Sequence, residues 1–288
     1  MSGDDAPFET IAIVGLGLIG GSIALAVREQ WPSVRVVAVD RPAVLAHAAG
    51  SGAIDRAAAS VAEIGHADLL VLAAPVRQNV QLLAQAWPHF DGSTVITDVG
   101  GTKRDIVEAA TGHAEKRSAF LGGHPIGGAE HGGFGFARPD LFRGKPWIFT
   151  PDASTPADVL NRLSGFVRGL GARPTTMDAA EHDRLMAFVS HLPQLTASAL
   201  MQVVGQAATS DGLRLAGRGL TDTTRLASSP VSSWRDVCAT NADALRDALD
   251  ALIASLSRLR ADLEGGAAVQ EMFDEAAHWR AELLKNRE

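Results

Sequence analysis

His124, Glu130 and His131 fall within Gly122-Gly123-His124-Pro125-Ile126-Gly127-Gly128-Ala129-Glu130-His131-Gly132-Gly133, where six of twelve residues are glycine. Each glycine costs backbone entropy on folding, so this density signals a backbone that turns sharply or approaches a group that is not protein. Pro125 fixes φ directly after His124. An imidazole held in such a frame is suited to moving a proton near neutral pH. Two later segments carry further polar chemistry. Ser190-His191-Leu192-Pro193-Gln194 offers a histidine and an amide three apart. Leu220-Thr221-Asp222-Thr223-Thr224-Arg225-Leu226-Ala227 offers an arginine able to bind an anion.

The elements that must position these groups begin with Ile11–Val14, a short apolar run of buried-strand character. Gly15-Leu16-Gly17-Leu18-Ile19-Gly20 follows, then a helical stretch to about Glu29. This is a GxGxxG turn in its required context, with a strand before it and a helix after it. Gly15 allows a tight turn, Gly17 leaves room for a pyrophosphate and Gly20 lets helix and strand pack closely; the phosphates would lie on the helix N-terminus. A second strand, Val34–Val39, ends in Asp40, 20 residues beyond Gly20, where a carboxylate can accept both ribose hydroxyls. Asp40 favours NAD; the adjacent Arg41 keeps NADP open, because an arginine can pair with a 2′-phosphate.

Helix 42–50, strand Asp68–Ala74 ending at Pro75, a helix from Arg77 to Trp87, and strand Thr94–Asp98 continue the alternation. A helix to about Thr111, strand Ala119–Leu121, strand Trp147–Pro151, helix 156–170 and strand Ala172–Met177 complete a doubly wound α/β domain over residues 1–177. Ala74, Pro75 and Asp98 lie at carboxyl ends of strands, where such sheets bind ligands, and join Gly15, Gly17, Leu18, Ile19, Gly20, Asp40 and Arg41 as cofactor-site candidates. Residues 178–288 hold no convincing strand and read as all helical. One long helix, Glu181 to about Ala208, is expected to kink at Pro193. Asn241 is expected to cap a final helix with a stripe of Leu245, Leu249, Leu252, Leu256, Leu259 and Leu263, read as core or a dimer seam.

Composition bounds the class. Hydrophobic residues make up 46% and charged residues 20%, with a net charge of −7, which argues against general binding to nucleic acid or a membrane surface. Cys238 stands alone, so neither an internal disulfide nor a multi-cysteine metal site is expected. The first ten residues lack the basic segment of a signal peptide, and the apolar run 11–27 is broken by glycines, so the chain reads as cytoplasmic.

Taken together, the chain resembles the prephenate/arogenate (cyclohexadienyl) dehydrogenase family. The matching segments are Gly15–Gly20 with Asp40, Asp98-Val99-Gly100-Gly101-Thr102-Lys103, Gly123–Glu130, His182-Asp183 with Ser190–Pro193, and Thr224–Ala227 with Trp234-Arg235-Asp236. The resemblance implies a Rossmann-type nucleotide-binding domain followed by an all-α dimerisation domain of the 6-phosphogluconate-dehydrogenase C-terminal type. It also implies a homodimer, and an NAD-dependent oxidative decarboxylation of prephenate or arogenate on the way to tyrosine. His124 matches the family's catalytic histidine and Arg225 its carboxylate-binding arginine, with Gln194 counted beside them in the catalytic set. Gly101, Thr102, Lys103, Glu130, His191, Asp222 and Trp234 are expected around the substrate, Asp222 as the residue that orients the arginine loop. His182 is expected to be structural and His131 to be solvated. No metal is implied. After the last helix there is no room for a regulatory ACT domain, and no chorismate mutase domain is expected before residue 11, so tyrosine inhibition would act at the active site.

Two positions depart from the family pattern. Many members have serine where Gly101 stands, and a second histidine where Gln194 stands. Gln194 can hydrogen-bond but cannot carry charge. Three alternatives follow: a dehydrogenase of a 4-amino-4-deoxyprephenate-type analogue, another dehydrogenase built from a Rossmann and a helical domain, or an NAD-sensing protein without turnover.

Overall fold

The computed structural model describes residues 6–112, 119–128 and 131–285. The chain divides into two compact units, 1–242 and 243–288. The expected boundary at residue 177 therefore falls inside the first unit.

The first unit opens with β1 (Thr10–Val14), α1 (Leu18–Gln30), β2 (Arg35–Val39), α2 (Pro42–Gly50) and β3 (Arg56–Ala57). It continues with β4 (Leu69–Leu72), α3 (Val76–Ala86), β5 (Val95–Asp98), α4 (Arg104–Thr111) and β6 (Ala119–Pro125). β7 (Pro146–Thr150), α5 (Ala157–Gly169) and β8 (Arg173–Thr176) complete an eight-stranded sheet of order β3-β2-β1-β4-β5-β6-β7-β8. Alternate residues of the central strands enter two separate cores: Ile11, Ile13, Val36, Leu69 and Val71 on one face, Ala12, Val14, Val37, Leu70 and Leu72 on the other. Burial on both faces explains why these strands read as unbroken apolar runs.

The sheet is parallel from β3 to β6, but β7 pairs antiparallel to β6 and carries β8 with it. The sheet is thus parallel-dominated, with one reversal of direction at β7. The described residues of 126–145 contain only a short 3₁₀ turn, Phe134–Phe136, and no helix to carry the chain back to the starting edge; a parallel neighbour needs such a crossover.

The loop after β1 has the geometry its glycines suggest. Gly15 adopts φ +98°, and a Cβ there would meet the Ala73 carbonyl carbon and oxygen at 2.7 Å. A Cβ on Gly20 would run into the Gly15 carbonyl oxygen, whereas one on Gly17 would meet nothing within 4 Å. Gly17 also caps α1 without any side-chain acceptor, leaving the first-turn N–H groups open toward that space.

The helical part of the first unit runs through α6 (Ala179–Met186), α7 (Leu192–Leu213), α8 (Arg218–Thr223) and α9 (Val231–Thr240). The expected kink at Pro193 is instead a π-helical turn upstream of it, Ala187–His191, with Pro193 in the first turn of α7. α7 is interrupted at Thr209, with φ 54°, one residue past the expected helix end.

The second unit is α10 (Ala242–Ala261) and α11 (Ala267–Lys285), two helices where one was expected. They are separated by a turn in which Gly266 takes φ +79° and the Asp262 carboxylate accepts the Ala268 N–H at 2.8 Å. Ile253, Leu256, Leu263, Phe273, Trp279, Leu283 and Leu284 are exposed along these helices.

Gly20→Ala should lower stability by about 1–3 kcal/mol through overpacking against the Gly15 carbonyl. An unchanged urea midpoint would show that the loop relaxes freely.

Candidate active site

Three strand ends and one glycine-rich segment face a cavity of about 1230 Å³. Gly17, Leu18 and Ile19 follow β1, Ala74 and Pro75 follow β4, and Gly100 and Gly101 follow β5; Gly127, Gly128 and His131 border the same space. The opposite wall comes from α7 to α9 and includes Gln194, Met201, Thr224, Arg225, Trp234 and Asp236. His131 is exposed, as expected, and borders this open cavity with its ring 5.0 Å from that of Phe136.

Asp40 stands beside the glycine turn at the end of β2. Its carboxylate accepts the Leu16 N–H and the Arg41 N–H, both at 2.6 Å, and its Oδ1 lies 3.8 Å from the Arg41 guanidinium. The Arg41 side chain is 86% exposed, so it is not locked into that pairing. Gly17 with its open N–H groups, together with the Asp40 carboxylate, fits a dinucleotide: room and donors for a pyrophosphate, an acceptor for ribose hydroxyls.

His124 sits in β6 and is half-buried. Its Nδ1 lies 2.8 Å from His182 Nε2, and His182 Nδ1 lies 2.8 Å from Asp183 Oδ1. Burial raises the Asp183 carboxyl, but the hydrogen bond from His182 and the N–H groups of Arg104 and Lys103 outweigh it, holding the group below its usual range. An ionised Asp183 accepts from His182 Nδ1–H. His182 Nε2 then accepts from His124 Nδ1–H, which leaves the lone pair on His124 Nε2. That nitrogen lies 4.0 Å from where a Cβ on Gly101 would be, so it faces the cavity wall at Gly101. His182, expected to be structural, is buried at the start of α6, and its link to His124 is what sequence reasoning missed. Its signal was adjacency: a histidine followed by an aspartate at a helix start, within one of the segments that carry the family resemblance.

Burial pushes the His124 imidazolium well below its usual pKa of 6.5, reinforced by His182, the Lys103 ammonium and His191. His124 is therefore a neutral acceptor at physiological pH.

Other expected site residues do not face the cavity. Lys103 is fully buried; its ammonium pairs with Asp98 Oδ2 and donates to the Gly123 carbonyl at 2.8 Å. Asp98 also accepts the N–H groups of Gly100 and Gly123, at 2.8 and 3.1 Å. The Thr102 hydroxyl meets that of Thr240 at 2.7 Å and cannot replace a serine hydroxyl at position 101. These three are internal supports, drawn inward because Asp98 and Lys103 neutralise one another there.

His191 is buried with its ring edge-on to Trp234, centroids 5.9 Å apart, and burial lowers its pKa to about 4. Asn241, expected as a helix cap, turns its carboxamide inward to the Asp183 carbonyl at 2.8 Å, to His191 Nδ1 at 3.3 Å and to Arg104 at 2.9 Å. Asp222 is exposed on α8 and does not line the cavity. Glu130 lies outside the described residues.

An open cradle for a dinucleotide beside a neutral, relay-oriented histidine defines an oxidoreductase-type site. The prephenate dehydrogenase nucleotide-binding domain matches residues 23–176 and the prephenate dehydrogenase dimerization domain matches residues 178–276. The chain is 34% identical over 264 residues to prephenate dehydrogenase of Bacillus subtilis, covering 89% of this chain and 70% of that protein. It is 32% identical over 286 residues to cyclohexadienyl dehydrogenase of Zymomonas mobilis, covering 96% of each. Among solved structures, prephenate dehydrogenase from A. aeolicus in complex with hydroxyphenyl propionate and NAD+ is similar with a TM-score of 0.88 and 28% identity, over 96% of this chain and 98% of that one. The chain belongs to the prephenate dehydrogenase family, and it is an NAD-dependent oxidoreductase.

The lowered His124 pKa sets a pH dependence. Activity that needs the neutral imidazole is present above that pKa and lost as pH falls through it. The acid limb of kcat/KM should therefore lie well below pH 6.5. A limb at or above 6.5 in the native protein would remove His124 as the titrating base.

Proposed function

We propose that the chain oxidatively decarboxylates prephenate, arogenate or both, in the step that leads toward tyrosine. The observation that carries this reading is the Asp183–His182–His124 chain, which leaves the lone pair on His124 Nε2, beside Gly101 of the cavity wall. NAD, held at Gly17 and Asp40, would supply a hydride acceptor. His124 Nε2 takes the proton of the 4-hydroxyl as that carbon gains carbonyl character. The ring carboxylate leaves as CO2 and the ring becomes aromatic, so the hydroxyl proton, the hydride and CO2 all have a destination. Arg225, on the cavity wall, holds a substrate carboxylate; a guanidinium can do so in a bidentate manner. Without a side chain at Gly101, the 4-hydroxyl meets His124 directly, with no serine hydroxyl to share it.

Asp40 supports a preference for NAD over NADP, because its carboxylate repels a 2′-phosphate. The functional division at residues 177 and 178 is supported by where the two family domains meet. A homodimer is supported by the dimerization-domain match and by the exposed apolar side chains of α10 and α11. No helix among the described residues is long and apolar enough to cross a membrane, which is compatible with a cytoplasmic enzyme.

The test is NADH formation with prephenate and arogenate side by side, each with NAD and NADP. Turnover with NAD is expected, and silence with both acids in protein that binds NAD would overturn the reading. His124→Asn should cut kcat by about 10²–10⁴-fold with NAD affinity retained. Arg225→Ala should chiefly raise the substrate KM, as loss of ground-state binding does; a fall in kcat alone would give Arg225 a different role.

A further inference from the structure

We infer that Gln194 is the positioning residue for Arg225, holding the turn that carries it, and does not itself contact the substrate. This rests on the dehydrogenase reading above for the identity of the bound acid, but the contact pattern is independent of it. Gln194 lies in the first turn of α7 and is 4% exposed. Its Nε2 donates to the Leu226 carbonyl at 2.7 Å and lies 3.4 Å from the Ser198 hydroxyl. Its Oε1 accepts from the Ser229 hydroxyl at 3.1 Å. Both amide hydrogens and one carbonyl lone pair are therefore engaged by protein, which leaves little capacity for a ligand.

The partners explain what this accomplishes. Arg225–Ser228 forms a single 3₁₀ turn, and Gln194 grips it from both sides, through the carbonyl of Leu226 and the hydroxyl of Ser229. Arg225 immediately precedes the gripped carbonyl, and both Arg225 and Ser229 line the cavity. α8, which leads into the turn, has no buried residue, and its Asp222 does not line the cavity. Among the contacts described, α8 bonds the turn at its start, where the Leu220 carbonyl accepts the Thr224 N–H and hydroxyl at 2.9 and 2.7 Å, and the clamp on the residues that follow comes from α7, across 32 residues of sequence. A neutral carboxamide serves both arms, because it brings a donor to the Leu226 carbonyl and an acceptor to the Ser229 hydroxyl. A glutamate has no donor for the Leu226 carbonyl, and a leucine has neither group.

The experiment compares Gln194→Glu and Gln194→Leu with the native enzyme, alone and combined with Arg225→Ala. KM for prephenate should rise by about tenfold or more, the cost of leaving buried polar groups unpaired, with kcat within about threefold and KM for NAD unchanged. In the Arg225→Ala background the same substitutions should leave KM where it is, because coupled residues are non-additive. A fall in kcat at unchanged KM, or an additive rise in KM, would overturn the assignment. Hydrogen exchange without ligand supplies a readout that needs no turnover: the amides of residues 226–229 should exchange faster in Gln194→Leu, and unchanged exchange would also overturn it. If the native protein oxidises neither acid, the substrate reading falls while the exchange result still decides the clamp. Should Gln194→Leu fail to fold, Ser229→Ala removes one arm alone and should shift KM in the same direction.

Discussion

The ion pair between Asp98 and Lys103 is the constraint on which the site depends. Both side chains are completely buried, and removing two charges from water costs several kcal/mol per ion unless their remaining valences are met. Here they are met by backbone: Gly100 and Gly123 donate to Asp98, and the Gly123 carbonyl accepts from Lys103. The pair therefore bolts the end of β5 to the strand that bears His124, one residue ahead of it. Gly123 must be glycine at this junction, since a Cβ would meet the Asp98 carbonyl oxygen at 2.8 Å. The same buried ammonium acts electrostatically on the neighbouring imidazole, disfavouring its charged form. One interaction thus serves both shape and protonation.

Above that bolt, Asp183 joins the helices to the sheet. It receives the backbone N–H groups of Lys103 and Arg104 at 2.7 and 3.0 Å, the first of these residues being the buried cation itself. Asn241 extends the junction to His191 and Arg104. The helical segments are consequently attached through the Asp183 carboxylate, which accepts the backbone donors at the start of α4 and lies 3.3 Å from the Arg104 guanidinium, and through the Asn241 carboxamide.

Much of this was legible in the sequence, and the parts that were not share a physical cause. The glycine turn, Asp40, the strand ends and the change to helix near residue 178 are local patterns, readable because periodicity and turn chemistry are local properties. The direction of β7 was not, because strand polarity depends on whether the chain between crosses the sheet. Asp98 and Lys103 read as ligand contacts from their place at a strand's carboxyl end, yet they meet one another across five residues and turn inward. His182 was undervalued because its partner is 58 positions away. Asp222 was overvalued, and Gln194 assigned to chemistry, because the arginine turn is held by a helix distant in sequence. In each case, pairing at long range decided what a residue of unremarkable local context does.

The contact between Asp183 and the two amides at the start of α4 has one more implication. Asp183 orients His182, His182 orients His124, and Asp183 itself is held by those two amide donors and the Arg104 guanidinium. The dinucleotide cradle, by contrast, is assembled entirely from residues 15–75 and needs none of these. Ligand capture and proton acceptance therefore rest on different contacts. The nucleotide-binding region uses none of the helical segments' hydrogen bonds, while the base takes its tautomer from them. The histidine acts as a coincidence detector, chemically competent only when two distant stretches of the same polypeptide have found each other.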